Sequence, residues 1–271
     1  NNLIFLHIPK NGGTTFDTIL DKNNHQTNIY NIQPIGADEL NVHHFVDLPI
    51  SHREKIKLLK GHMVYGLHKH LVGNTDYISF LRKPEDRIVS YYYYVLAMPS
   101  HRLHERVKNE KMSLYDFVVN IDEFDIHNAQ VGVISGIVDT EEIMLEKALY
   151  NIENYFSFIG LVERFDESLI LFKKKHPLKR LYYKSLNRTK KRIGLNEIDS
   201  KTKDAIAKRN KSDNILYNAV EKRFNQEISE ISTMKTELFK LKMFNSLFEL
   251  YSNIFSDNLR LKVKNTILNS N

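Results

Sequence analysis

The chain has no cysteine and no tryptophan, and only 10 glycines and 6 prolines in 271 residues. Without cysteine there is no disulfide framework, no thiolate nucleophile and no Cys-ligated zinc. The same absence fits a reducing compartment, so a cytoplasmic, bacterial-type setting is the first expectation. No apolar run approaches the roughly 20 residues of a membrane span. No low-complexity linker and no internal repeat divide the chain. It begins at Asn1 and enters a core strand at once, which fits a trimmed start from which a targeting or anchoring segment was removed. Acidic residues are outnumbered, 33 against 39 lysines and arginines, for a net charge of +6. That balance favours an anionic ligand, although solvated lysines account for most of the surface charge.

What is present is ordinary for a soluble globular protein: 42% apolar and 27% charged residues. The length suits a single domain over residues 1–271, with a motif-bearing core over about 3–195 and a helical C-terminal portion over about 197–271. The organising stretch is Leu3 to Phe16, LIFLHIPKNGGTTF. Leu3-Ile4-Phe5-Leu6 reads as a buried strand. Pro9 breaks it, and Lys10-Asn11-Gly12-Gly13 turns the chain. Thr14-Thr15 then leads into a helical pattern at Phe16, Ile19 and Leu20. A strand, a glycine-containing loop and a helix start make a place to hold phosphate. The plain alternative is a strand-to-helix turn with a surface lysine. The order excludes a Walker A loop, where the lysine follows the second glycine; here Lys10 precedes both.

Residues 17–60 read as polar loops and short elements, with Arg53 to Lys60 as a short basic helix or strand lead-in ending at Gly61. Tyr77 to Leu81 and Phe156 to Leu161 read as further strands. Pro84 opens a helix running to about Ala97, with Glu85 and Asp86 suited to its positive end. Helices follow over about 113–119, 125–134, 140–154 and 166–175, and Leu181-Tyr182-Tyr183 reads as a short strand. Strands alternating with helices imply the α/β class, a central parallel sheet flanked by helices. The C-terminal helices stand to pack on that sheet or on another subunit, the latter giving a homo-oligomer.

Two strand-to-helix junctions are alike: FLHIPKNGGTTF and FLRKPEDRIVSYYYY, the second over Phe80 to Tyr94. Each sets cations where a buried strand meets a helix. In a parallel sheet both lie on the carboxyl edge, where ligands bind. Two such turns fit a ligand with two separate phosphate groups.

On these residues the chain resembles the sulfotransferases that use 3′-phosphoadenosine 5′-phosphosulfate (PAPS), in the branch of heparan sulfate 2-O-sulfotransferase and its bacterial relatives. The resemblance implies a P-loop-like sulfotransferase fold. It implies that the loop of Lys10, Asn11, Gly12, Gly13, Thr14 and Thr15 grips the 5′-phosphosulfate. It implies that Arg82 and Ser90, in an R-x-P-x-x-R-x-x-S-x-Y pattern with Pro84 and Arg87, grip the 3′-phosphate. Arg87 reads equally as a structural ion-pair residue. Asn128-Ala129-Gln130 with Ser135-Gly136, and Gly160-Leu161-Val162-Glu163-Arg164 with Asp166-Glu167-Ser168, resemble further family segments. Asn187, Thr189 and Arg192 fall where relatives carry a basic loop over the nucleotide. The resemblance covers about residues 3–195. It also admits a Golgi-lumenal domain trimmed from a membrane anchor.

Sulfuryl transfer to an alcohol needs the hydroxyl proton removed as the new bond forms, a task for a near-neutral His. Among 12 histidines, His62 in Lys60-Gly61-His62 is the candidate base, and relatives carry G-H or H-G-H at this place. Lys10 joins it as the catalytic cation. His7 reads as a hydrogen-bonded core histidine, and His68 and His70 as neighbours able to line the acceptor site. No metal is expected, because these histidines lack a carboxylate at ligand spacing. The donor is PAPS and the product 3′,5′-ADP. The acceptor is a hydroxyl-bearing small molecule or glycan, first of all a carbohydrate, with a lipid or polyketide alcohol or a peptide tyrosine as other classes. Two rivals are a P-loop-type nucleotide kinase, against which the position of Lys10 counts, and a non-catalytic binder of anionic glycans. Nucleic acid is not an expected partner, since the basic runs are short.

Overall fold

The computed structural model describes residues 1–32, 41–183 and 194–268. In chain order its elements are β1 (Asn2–Leu6), α1 (Gly13–Asn23), β2 (Ile29–Ile32), α2 (Val42–Asp47), α3 (Ile50–Arg53), β3 (Leu58–Gly61), β4 (Thr75–Leu81), α4 (Pro84–Ala97), α5 (His104–Asn109), α6 (Leu114–Asn120), α7 (Ala129–Ser135), α8 (Glu141–Tyr155), β5 (Phe156–Leu161), α9 (Phe165–Lys175), α10 (Ser200–Arg209), α11 (Lys211–Ser229) and α12 (Met234–Leu268).

The five strands form one parallel sheet in the order β2-β3-β1-β4-β5. Ile4, Phe5 and Leu6 of β1 are buried at its centre, as expected of a strand covered on both faces. After β3 the chain crosses β1 to lay down β4 on its other side. The strand order therefore reverses at β1 and β4, and the crevice outside their carboxyl ends is the ligand position of an open α/β sheet. Leu6 pairs with Gly61 on one side and Ser79 on the other. The chain segments leaving β1, β3 and β4 thus emerge side by side.

The α/β class and the strands at Leu3–Leu6, Tyr77–Leu81 and Phe156–Leu161 match the sequence reading. Three local features differ. The described parts of 17–60 are more regular than their polarity implies: α1 continues to Asn23 on the buried stripe of Phe16, Ile19 and Leu20, and β2 and β3 complete the sheet. Leu181-Tyr182-Tyr183 forms no strand; the Tyr183 amide instead donates to Asn245 Oδ1. The helix expected from Asp125 is broken at Asn128, whose φ of 43° is left-handed. A short turn at Phe124–Ile126 precedes that break and α7 follows it.

The described residues form two apolar clusters, one on the sheet and one among helices. The larger joins β1, β4 and β5 to Phe16, Phe172, Leu216, Val220 and Phe224, so α11 packs directly onto the sheet layer. The smaller lies among α4, α5, α6 and α10, around Ile88, Val95, Val107, Phe117 and Ile206. Among the described residues no helix is long and apolar enough to cross a membrane.

Candidate active site

The loop after β1 is shaped by two left-handed residues, Lys10 at φ 69° and Gly12 at φ 68°. Gly12 occupies the N-cap of α1 and supplies no side-chain acceptor to its first amides. The N-terminus of α1 therefore presents its N–H groups and the positive end of its dipole at the carboxyl edge of the sheet. Lys10 is partly buried, and its Nζ lies 4.0 Å from the centre of the Tyr94 ring. Burial, and then the nearby Arg82, lowers its pKa from 10.5 to about 8. Among the described residues no carboxylate pairs with it. Thr14 is exposed and Thr15 buried.

The second junction closes onto the first. Arg82 leaves the end of β4, and its Nη1 donates to the Lys10 carbonyl at 3.0 Å. Its Nη2 lies 3.8 Å from Asp86 Oδ1. Asp86, Ser90 and Tyr94 recur every four residues on α4 and so share a face. Arg82 at one end of that face and Tyr94 at the other both touch Lys10, so buried Ser90 lies on the stripe that faces the loop. Arg87 points the other way. It is fully buried, donates to the Asp125 carbonyl at 2.8 Å and lies 3.8 Å from the Asp125 carboxylate. Burial pushes its pKa down, while Asp213 and Asp125 oppose that. Of the two readings of Arg87, the structure places it as an ion-pair residue.

Gln130 couples the junctions. It is fully buried; its Oε1 accepts from Asn11 Nδ2 at 2.8 Å and from the Arg82 amide at 2.9 Å, and its Nε2 donates to the Arg82 carbonyl at 3.0 Å. Asn11 Nδ2 also donates to the Phe80 carbonyl at 2.7 Å. The Asn11 amide nitrogen is thus committed to the scaffold, although the sequence alone places Asn11 among the ligand contacts. Gln130 is itself fixed by the Asp213 carboxylate, which accepts from the Gln130 and Val131 amides at 3.2 and 2.8 Å. Asp213 belongs to α11, so a C-terminal helix supports the loop through α7.

His62 follows the last residue of β3. Its ring stacks on His7 with centroids 4.5 Å apart, and His7 stacks in turn on Phe5 at 5.5 Å. A Cβ at Gly13 would lie 2.1 Å from the His7 ring, so the glycine is what lets α1 start against it. Burial lowers the His62 pKa below its ordinary 6.5, against the His7 backbone, Asp125 and Asp17. His7 falls to about 3, through burial first and then His62, Lys60 and Lys10. Both rings are therefore neutral near pH 7, and the packing of His7 is by stacking at the site. His68 Nδ1 meets the Tyr77 hydroxyl at 2.9 Å, and His70 lies against Phe45. The three imidazoles at 62, 68 and 70 turn to different neighbours. No group of three metal-ligating side chains gathers among the described residues. Asn187, Thr189 and Arg192 lie outside the described residues.

The profile of the sulfotransferase family matches residues 1–219. The chain belongs to the sulfotransferase family. No curated protein matches it. The family match spans the loop, the α4 stripe, His62 and Gln130, and it reaches into α11. In this sulfotransferase the segment Gly160 to Ser168 serves as a brace. Glu163 Oε1 accepts the Lys83 amide at 2.9 Å, just ahead of α4, and its Oε2 accepts the Tyr217 hydroxyl at 3.1 Å. Ser168 Oγ closes the end of β5 by accepting the Leu161 amide at 2.9 Å.

Sequence reasoning assigns no role to Tyr94, Gln130, Asp125 or Glu163. Gln130 and Glu163 stand inside quoted family segments, which was their only signal. Tyr94 and Asp125 had none, because their parts depend on what α4 and the turn before α7 face in space. Asp125 accepts the Tyr91 hydroxyl at 3.2 Å, and His101 Nε2 lies 3.4 Å from the same hydroxyl.

Proposed function

We propose that this sulfotransferase moves the sulfuryl group of PAPS to a hydroxyl of a carbohydrate acceptor, in the manner of the heparan sulfate 2-O-sulfotransferase-like branch. One observation carries the reading: Lys10 stands beside Arg82 at the N-terminus of α1, without a carboxylate partner among the described residues, its pKa held down to about 8. Two cations packed together in this way are stabilised by a polyanion. The left-handed turn at Lys10 and Gly12 aims the first amides of α1 at the same place.

Lys10 and the first amides of α1 hold the 5′-phosphosulfate, with Thr14 and Thr15 beside them. Arg82 and Ser90 hold the 3′-phosphate. Asn187, Thr189 and Arg192 cover the nucleotide, by resemblance. His62 takes the hydroxyl proton as the acceptor oxygen bonds to sulfur and the bond from sulfur to the bridging phosphate oxygen breaks. Lys10 stabilises the charge that collects on that leaving oxygen, and 3′,5′-ADP is released. The residues act by positioning and by preorganised charge, as in phosphoryl transfer. Half-buried His101 and Asp125 offer hydrogen-bonding groups suited to a sugar, held in place by the buried Tyr91 hydroxyl, and the field of Asp125 reaches His62.

The test is transfer of label from ³⁵S-PAPS to a panel of saccharides and simple alcohols, with Lys10→Ala and His62→Ala in parallel. Transfer by the wild type that collapses in both variants is the expected result. A wild type that neither transfers label nor binds 3′,5′-ADP refutes the reading. Full activity in His62→Ala moves the base elsewhere.

A further inference from the structure

Lys60 of β3, two residues before His62, forms an ion-pair cluster with Asp17 and Asp21 of α1, and the three take no part in the proposed transfer. Lys60 pairs with Phe5 in the β1–β3 register and is 2% exposed. Its Nζ lies 2.9 Å from Asp17 Oδ2 and 2.7 Å from Asp21 Oδ1, both on α1. Taking such charges out of water is costly. One oxygen of Asp17 is thereby held. The other, Oδ1, is buried without a hydrogen-bond partner, and so is His62 Nδ1. Buried polar atoms are seldom left unmatched, and here an acceptor and a ring nitrogen whose residues feel one another's charge are both unmatched.

They belong to one wall. Asp17 lies one turn after Gly13 on α1, on the same face. That face meets the His7 ring at Gly13, and His7 stacks on His62. The His7 backbone, Asp125 from the turn before α7 and Asp17 from α1 act on His62 directly, while Lys60 and Lys10 act on the His7 ring stacked against it. Of the two carboxylates among them, Asp125 already accepts from Tyr91 and pairs with Arg87. Asp17 Oδ1 is the one with an oxygen to spare.

We propose that Asp17 is a positioning residue for His62, accepting the Nδ1–H of the imidazole so that Nε2 is left as the proton acceptor. The assignment rests on His62 being the base. Contacts of this kind are long in the absence of substrate and tighten in the complex. Nε2 takes the hydroxyl proton, Nδ1 keeps its own, and Asp17 stays ionised beside the imidazolium, the division of labour of a base with an orienting carboxylate. Lys60 keeps Asp17 in that state. Burial alone raises the Asp17 pKa, and the hydrogen bond and charge of Lys60 pull it back. Removing the Lys60 cation therefore raises the Asp17 pKa further and weakens its hold on His62 without replacing either residue.

The experiment compares wild type with Asp17→Asn, Asp17→Glu, Lys60→Met and Asp21→Asn in the full chain. Nitrogen-15 and carbon-13 resonances of His62, assigned against His62→Gln, report its tautomer and pKa without any need for turnover. The expected wild-type tautomer carries its proton on Nδ1. In Asp17→Asn and Lys60→Met the His62 pKa falls, because an anion is lost, and the tautomer preference weakens. Asp17→Glu restores part of both, and Asp21→Asn changes them less. In the transfer assay kcat falls about 100-fold or more in Asp17→Asn, with 3′,5′-ADP affinity within about twofold of wild type and the acid limb of the pH profile moved. Should Asp17→Asn fail to fold, Lys60→Met carries the same readings. An unchanged His62 tautomer and pKa in the folded variants overturns the proposal. A shifted His62 in a protein that transfers no sulfuryl group supports the pairing and refutes the function instead.

Discussion

Replacing Gln130 by Leu tests how the two anion-holding junctions are held together. The substitution keeps nearly the same volume and removes three hydrogen bonds, to Asn11 Nδ2 at 2.8 Å, the Arg82 amide at 2.9 Å and the Arg82 carbonyl at 3.0 Å. Each such bond contributes about 1 kcal/mol net, and a buried group deprived of its partner costs about 1–3 kcal/mol. The expected loss is about 3–5 kcal/mol. For a domain of this size 1 kcal/mol moves Tm by about 2–4 °C, so unfolding should come roughly 10 °C earlier. Because Gln130 sets both Asn11 and Arg82, affinity for 3′,5′-ADP should fall about tenfold or more, a difference of about 1.4 kcal/mol per decade. Gln130→Glu keeps an acceptor for the two N–H donors but sets a carboxylate oxygen against the Arg82 carbonyl. It should bind 3′,5′-ADP less well than Gln130→Leu, although its geometry is closer to wild type. Thermal unfolding by circular dichroism and titration calorimetry with 3′,5′-ADP measure the two effects. A Gln130→Leu protein that melts within about 2 °C of wild type, which is less than 1 kcal/mol, and binds 3′,5′-ADP equally well refutes the coupling.

Three further outcomes follow from the geometry. Gly13→Ala drives a methyl group to 2.1 Å from the His7 ring; it should cost about 1–3 kcal/mol of stability and shift the His62 resonances, and a silent variant in both assays would show that His7 has room to move. The pH dependence of kcat/KM should be bell-shaped: the neutral His62 is lost to protonation below the ordinary 6.5, and the Lys10 cation is lost as pH rises through about 8. A plateau extending well above pH 8 would mean that the Lys10 charge is dispensable. Lys10→Ala should lower kcat/KM by a factor that corresponds to about 3 kcal/mol or more, measured with saturating acceptor; a loss confined to KM would assign Lys10 to binding alone.

β1, β4 and β5 were legible because Leu3 to Leu6 is a continuous apolar run and Tyr77 to Leu81 and Phe156 to Leu161 are rich in aromatic and branched residues. β3 was obscured by Lys60, whose burial makes sense only with Asp17 and Asp21 of α1 beside it. β2 is a short edge strand, mostly half-buried, with no apolar run to announce it. Asn128 broke an otherwise regular helical pattern through a left-handed φ that its own neighbours do not dictate. At the site, the turn chemistry of Gly12 and Gly13 and the doubled strand-to-helix junction could be read directly, and both junctions do meet, through Arg82 and the Lys10 carbonyl. The roles of Asn11, Gln130 and Tyr94 could not be read, because each is fixed by partners far away in the chain. Pattern alone left Arg87 divided between ligand and ion pair; full burial against Asp125 decides it.

The account turns on a site for two separate phosphate groups. Calorimetric titration of the full chain with 3′,5′-ADP and with 5′-ADP, without divalent metal, addresses it most directly. The prediction is that 3′,5′-ADP binds at least about tenfold more tightly, or about 1.4 kcal/mol, and that Arg82→Ala and Ser90→Ala remove the preference while Lys10→Ala weakens both ligands. Equal affinity for the two nucleotides, or binding of neither, would contradict it.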